Sequence, residues 1–109
     1  MEMNEYQNEA KKTAIYPDVG NNIYYPTLGL VGEAGEIANK VKKIMRDKKG
    51  KIEEADRINI GKELGDCLWY IALIAFELKI KLHLIAASNI LKLALRKSRN
   101  VIKWNGDNR

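Results

Sequence analysis

Apolar residues recur along the chain at three- and four-residue intervals, and period-two runs of β-branched residues are absent. This spacing predicts four helices. Met3, Tyr6, Ala10, Thr13 and Ala14 share one face of the first, and Asn4 followed by Gln7 resembles a capping box that starts it near residue 4. Tyr16 to Tyr25, with Pro17, Asp18, Gly20, Asn21 and Asn22, reads as a loop. The second helix is expected from Pro26–Thr27 to about Asp47, its stripe running from Leu30 through Ala34, Ile37 and Val41 to Ile44. Lys48-Lys49-Gly50-Lys51 ends it. The third starts between Glu53 and Asp56 and runs to about Lys79, and the fourth covers about Leu82 to Asn100. Residues 1–104 are thus expected to form one all-α domain, a four-helix bundle-like protomer, followed by a short tail over 105–109.

The third helix departs from the amphipathic rule. From Cys67 to Phe76 it is apolar all round, and such a helix must be covered on every side. Four short helices can hardly enclose one of their own. A partner subunit is therefore expected against the face of Trp69, Ala72, Leu73 and Phe76, the alternative being burial by the chain itself. The protein is expected to be a homo-oligomer, a dimer or a tetramer. The run is ten residues, and a membrane span needs about 20, so no membrane contact is expected.

Composition narrows the chemistry. Lys and Arg number 19 against 14 Asp and Glu, a formal charge of +5 in 109 residues. The bases are spread over four segments and mixed with acids. No helix-turn-helix, zinc-finger spacing or aromatic single-strand platform accompanies them, so nucleic acid is not the expected partner. One cysteine excludes an intrachain disulfide framework and fits a reducing compartment. Residues 1–5 have neither the positive nor the apolar region of a secretion signal, and the expected location is the cytoplasm. One histidine, His83, excludes a multi-histidine zinc site, so any metal must be held mostly by carboxylates.

Two pairs of acids stand out. Gly32-Glu33-Ala34-Gly35-Glu36 lies on the second helix and Glu63-Leu64-Gly65-Asp66 on the third. Acids at i and i+3 are neighbours on a helix surface, roughly 60° apart around its axis. Both pairs fall at the border of the apolar arc, with Tyr70 near the second pair and Lys40 at the matching place on the second helix. If the two helices pack antiparallel through their stripes, four carboxylates converge at the lip of the bundle. Clustered anions repel unless a cation joins them. Oxygen ligands select hard ions such as Mg²⁺, which suits phosphoanhydride hydrolysis. From spacing alone, a shared metal site and surface pairing with the many lysines stay equally open.

The segment Leu28-Gly29-Leu30-Val31-Gly32-Glu33-Ala34-Gly35-Glu36, followed by Lys62-Glu63-Leu64-Gly65-Asp66-Cys67-Leu68-Trp69-Tyr70, resembles the MazG-like all-α nucleoside triphosphate pyrophosphohydrolases. Glu5-Tyr6-Gln7 is similar to the leading helix of the short members and Asn89 to Leu93 to their closing helix, so the likeness spans residues 5–109. The resemblance implies hydrolysis of a (deoxy)nucleoside triphosphate between the α- and β-phosphates, to monophosphate and pyrophosphate, in nucleotide-pool house-cleaning. It implies Glu33, Glu36, Glu63 and Asp66 as ligands of Mg²⁺, with Mn²⁺ as a substitute, one of them orienting or deprotonating the attacking water. Longer members often carry a further acid directly before the first glutamate, where this chain has Gly32. A phosphoribosyl-ATP pyrophosphohydrolase has a similar helical core, but nothing in the chain points to it.

Around the acids, Tyr70 is expected either to contact sugar or base or to pack as a core-edge aromatic. Asn89, Lys92 and Arg96 share one face of the fourth helix and could meet phosphates, though solvated bases are the commoner fate. Gln7 could read a base edge or cap its own helix. Cys67 has no neighbouring base and reads as a small core residue, and His83 as a helix-end residue. Trp69 and Trp104 pack more often than they stack on ligands. The class opposed to an enzyme is a helical oligomer that binds a partner or nucleic acid through its basic surface.

Overall fold

A computed structural model of the chain describes residues 1–99; Trp104 and the expected tail lie outside the described residues. Four α-helices follow one another: α1 (Met3–Lys12), α2 (Tyr24–Lys48), α3 (Glu54–Glu77) and α4 (Leu82–Ser98). No strand occurs among the described residues. The long helices α2 and α3 pack along each other, α1 lies across α3, and α4 touches α1 and α3 but not α2. Gly29 faces Tyr70 while Lys48 pairs with Asp56 at 2.9 Å, so α2 and α3 run antiparallel.

Local chemistry sets the ends. α1 starts earlier than the Asn4–Gln7 pattern suggests, because the Glu2 N–H donates to Glu5 Oε1 at 3.3 Å. α2 starts at Tyr24, two residues before Pro26. The Asn22 side chain accepts the Tyr25 N–H at 3.2 Å, and a proline in the first helical turn needs no donor. The helix stops where Lys49 turns left-handed at φ 54° and the Gly50 N–H returns to the Ile44 carbonyl at 3.1 Å. Glu53 opens α3 with its N–H on Asp56 Oδ2 at 3.0 Å. The same left-handed ending, at Lys79, closes α3 at Glu77 rather than at residue 79.

The core is small and one-sided. Ala10, Tyr16, Ala72, Leu73, Ala75 and Leu82 form it, with Tyr6, Ala14, Trp69 and Phe76 packed against it. This corrects the expected partner face. The Trp69–Ala72–Leu73–Phe76 side of α3 is covered by α1, the Tyr16 loop and the start of α4, and Ala72 and Leu73 are 0% exposed. The apolar residues left open lie elsewhere: Leu28 (71% exposed) and Val31 (67%) on α2, Leu64 (55%) and Leu68 (39%) on α3, and Leu91 and Leu95 on α4. The loop before α2 is tied to the end of α3 through Glu77, whose carboxylate accepts the Tyr16 hydroxyl at 2.5 Å and the Gly20 and Asn22 N–H groups at 2.8 Å. Burial pushes that carboxyl up, but the three donors outweigh it and hold it below its usual range.

Gln7 requires a second correction. Its side chain does not cap α1 and is turned into the protein interior. It is buried, with Nε2 donating to the Ile80 carbonyl at 3.0 Å and the Ala72 carbonyl at 3.4 Å, and Oε1 accepting the Leu82 N–H at 3.0 Å. Asn4 Oδ1 takes the next amide, that of His83, also at 3.0 Å. The first orphan donors of α4 are thus satisfied from α1, which fixes where α4 departs. Replacing Gln7 with Leu should leave those buried groups unpaired and cost about 1–3 kcal/mol in denaturant unfolding, with KM for any substrate unchanged. A base-reading Gln7 would show the reverse.

Candidate metal centre and adjoining cleft

Antiparallel packing of α2 on α3 brings the two acid motifs to one edge. Glu33, Glu63 and Asp66 each offer an oxygen, and the three lie within 4.8 Å of one another. That spacing suits three oxygens around one hard cation. Glu36 lies outside this trio and is exposed, but its charge reaches Glu33. The Glu33 carboxyl is pushed up to about 7, first by its hydrogen bond with Glu63, then by desolvation and the charges of Glu63, Asp66 and Glu36. The crowding that favours a proton on Glu33 is the same crowding that a cation would relieve.

Lysines do little to relieve this charge. Among the described residues the ion pairs that touch the four acids come down to one, Lys40 to Glu63 at 3.9 Å. The shorter lysine pairs lie elsewhere, as in Lys48 with Glu53 and Asp56 at the far end of the hairpin. A smaller cavity there, of about 220 Å³, is lined by Lys40, Lys43, Lys48, Asp47 and Asp56, of which Lys48 and Asp56 pair with each other.

Beside the trio opens a cleft of about 530 Å³, lined by Glu33, Gly65 and Asp66 together with Tyr6, Thr13, Trp69 and Tyr70. Trp69 is fixed by donating its indole N–H to Thr13 Oγ1 at 2.7 Å. Tyr70 meets it edge to face, centroids 5.0 Å apart and planes at 77°. Burial raises the Tyr70 phenol, and the charges of Tyr25, Glu33 and Asp66 add to it. Tyr6 is raised by burial and then by Asp66. The cleft therefore joins an anionic corner, fit for a cation, to an aromatic wall, fit for a planar ring.

Of the sequence candidates, Tyr70 is brought to the acids. Asn89, Lys92 and Arg96 are not: they line shallow cavities along α4, a helix out of contact with α2. Cys67 is half-buried, its thiol raised by burial and by Glu33, Asp66 and Glu63, which leaves it a poor nucleophile. His83 is exposed at the start of α4. Tyr6 and Thr13 are cleft residues that the sequence does not single out, and Trp69, weighed there between packing and stacking, lines the cleft with them. The signal was the Tyr6–Ala10–Thr13 face itself, which reads as an apolar stripe but ends in a hydroxyl able to hold an indole.

A family model for the MazG nucleotide pyrophosphohydrolase domain matches residues 26–101. The chain is also similar to the Gene 37 protein of Mycobacterium phage L5, at 49% identity over 114 aligned residues that span the whole of both chains. No solved structure matches it.

Proposed function

The chain belongs to the MazG nucleotide pyrophosphohydrolase family, and from that premise we propose that it hydrolyses a (deoxy)nucleoside triphosphate at the α–β phosphoanhydride, releasing monophosphate and pyrophosphate. The observation that carries this reading is the convergence of Glu33, Glu63 and Asp66 beside an aromatic cleft. These three would hold Mg²⁺, or Mn²⁺ in its place, with Glu36 standing beside them as the fourth acid. When bound, the ion offsets phosphate charge and acidifies water. Glu36, outside the converged trio, is the acid we assign to receive the proton of the attacking water. In this reading Tyr70 and Trp69 border the space for sugar and base, and the triphosphate points towards the Glu33 and Asp66 edge.

Among the described residues the cleft lining carries no lysine or arginine. We propose that the protein works as a homo-oligomer, supported by the open leucines and valines of α2, α3 and α4, and that α4 of a second copy supplies Lys92 and Arg96 to the phosphates. No helix among the described residues is long and apolar enough to cross a membrane. A house-cleaning role in the cytoplasm is part of the same proposal.

The test is incubation with ordinary and modified (deoxy)nucleoside triphosphates and Mg²⁺, scoring pyrophosphate and monophosphate separately. Turnover of at least one with this product pair is expected, and no turnover of any would overturn the reading. The raised Glu33 adds a pH prediction. Below about 7 its proton competes with the cation, so Mn²⁺ binding measured calorimetrically should tighten about tenfold from pH 6 to pH 8, with proton release. The sign for folding is opposite: without metal, the raised carboxyl removes stability as pH climbs from the ordinary carboxylate range through about 7.

A further inference from the structure

Gly29 stands one helical turn before Glu33 on α2, facing Tyr70 on α3. A β-carbon placed on Gly29 would lie 2.3 Å from Cε1, 2.4 Å from Cζ and 2.8 Å from Cδ1 of the Tyr70 ring. Carbon atoms not bonded to each other rest at about 3.5–4.0 Å, so the ring fills the volume any other residue's side chain would need. The other glycines within helices behave differently. Gly32, Gly35, Gly61 and Gly65 have nothing within 4 Å of such a carbon. Glycine weakens a helix, and at position 29 the structure gives a steric reason for it.

That reason leads to the cleft. Tyr70 lines it with Glu33 and Asp66, sets its ring against Trp69, and places its phenol within the influence of both acids. We propose that Gly29 is a positioning residue of this site: its missing side chain seats the Tyr70 ring between α2 and α3, where the ring forms the wall for the nucleoside part of the substrate. The proposal rests on the pyrophosphohydrolase reading given above. The atoms in conflict with a new β-carbon belong to the far end of the Tyr70 side chain. In Gly29→Ala the ring therefore swings out of its seat while the helix backbones stay, and alanine is the better helix former. The fold survives and the wall is lost.

The experiment is a cycle of wild type, G29A, Y70A and G29A/Y70A, with G61A as a control for helix propensity. Two readouts are taken on the full chain: the near-ultraviolet circular dichroism of the Trp69–Tyr70 pair, and KM and kcat for the triphosphate found to be hydrolysed. G29A is expected to abolish the part of the dichroism that Y70A abolishes and to raise KM about tenfold, with kcat changed far less. In the Y70A background the same substitution should change neither readout, and G61A should match wild type. Equal effects of G29A with and without Tyr70, or wild-type dichroism and KM in G29A, would overturn the proposal. If wild type hydrolyses no triphosphate, the functional reading falls, whereas the dichroism cycle still decides whether Gly29 seats Tyr70.

Discussion

Asp66→Asn is expected to lower pyrophosphate release by about 10²–10³-fold without loosening the fold, and in metal-free buffer to leave thermal stability equal or higher. The two signs follow from one geometry. Asp66 is exposed and stands within 4.8 Å of Glu33 and Glu63 oxygens, so its charge adds to the repulsion that drives Glu33 to about 7. Removing that charge relieves the apo protein and brings the Glu33 carboxyl back towards its ordinary range. The same change takes a hard anionic ligand from the cation, and an amide oxygen is a poor replacement. Wild type should therefore gain melting temperature on addition of Mg²⁺ or Mn²⁺, and D66N should gain much less at equal concentration, because only a ligand bound to the folded state stabilises it. Acids that merely paired with surface lysines would give another pattern: a small loss of stability, an unchanged response to metal and unchanged turnover.

How far the sequence led depended on whether a signal was local. Helix positions come from three- and four-residue spacing, which each segment carries within itself, so all four were legible to within two or three residues. Three of the four acids were legible as a cluster for the same reason, since i and i+3 share a surface and both pairs sit at the border of an apolar arc, whereas Glu36, expected to converge with them, lies outside the trio. Faces of α3 were not legible. Cys67 to Phe76 is apolar on all sides and has no direction, so nothing in it tells α1 from a second subunit. Gln7 was beyond reach because its partners, Ala72, Ile80 and Leu82, lie 65 to 75 residues away. Gly29 belongs to the motif around the first acid pair, but its purpose depends on a ring that arrives from α3.

Leu73→Ala should be the most damaging single truncation for stability. Leu73 is fully enclosed among Ala10, Tyr16, Ala72, Ala75 and Leu82, and few other large side chains share that condition. Removing its branched end from a packed site costs about 2–5 kcal/mol, the upper half applying where neighbours cannot close the gap. Alanines at 10, 72 and 75 have nothing to move inwards, so the upper half is expected here. For a domain of this length the melting temperature should fall by at least about 10 °C. Protein concentration separates this core role from the partner face once expected of the same residue. If Leu73 met a second subunit, the shift between wild type and L73A would grow on dilution, as assembly fails. Enclosed in its own protomer, it should give the same shift at every concentration. Leu68→Lys, on an open part of α3, is the complement: sedimentation should show it shifted to a smaller species, with its helical dichroism kept. A concentration-dependent L73A shift with an L68K protein still fully assembled would reverse the assignment of the two faces.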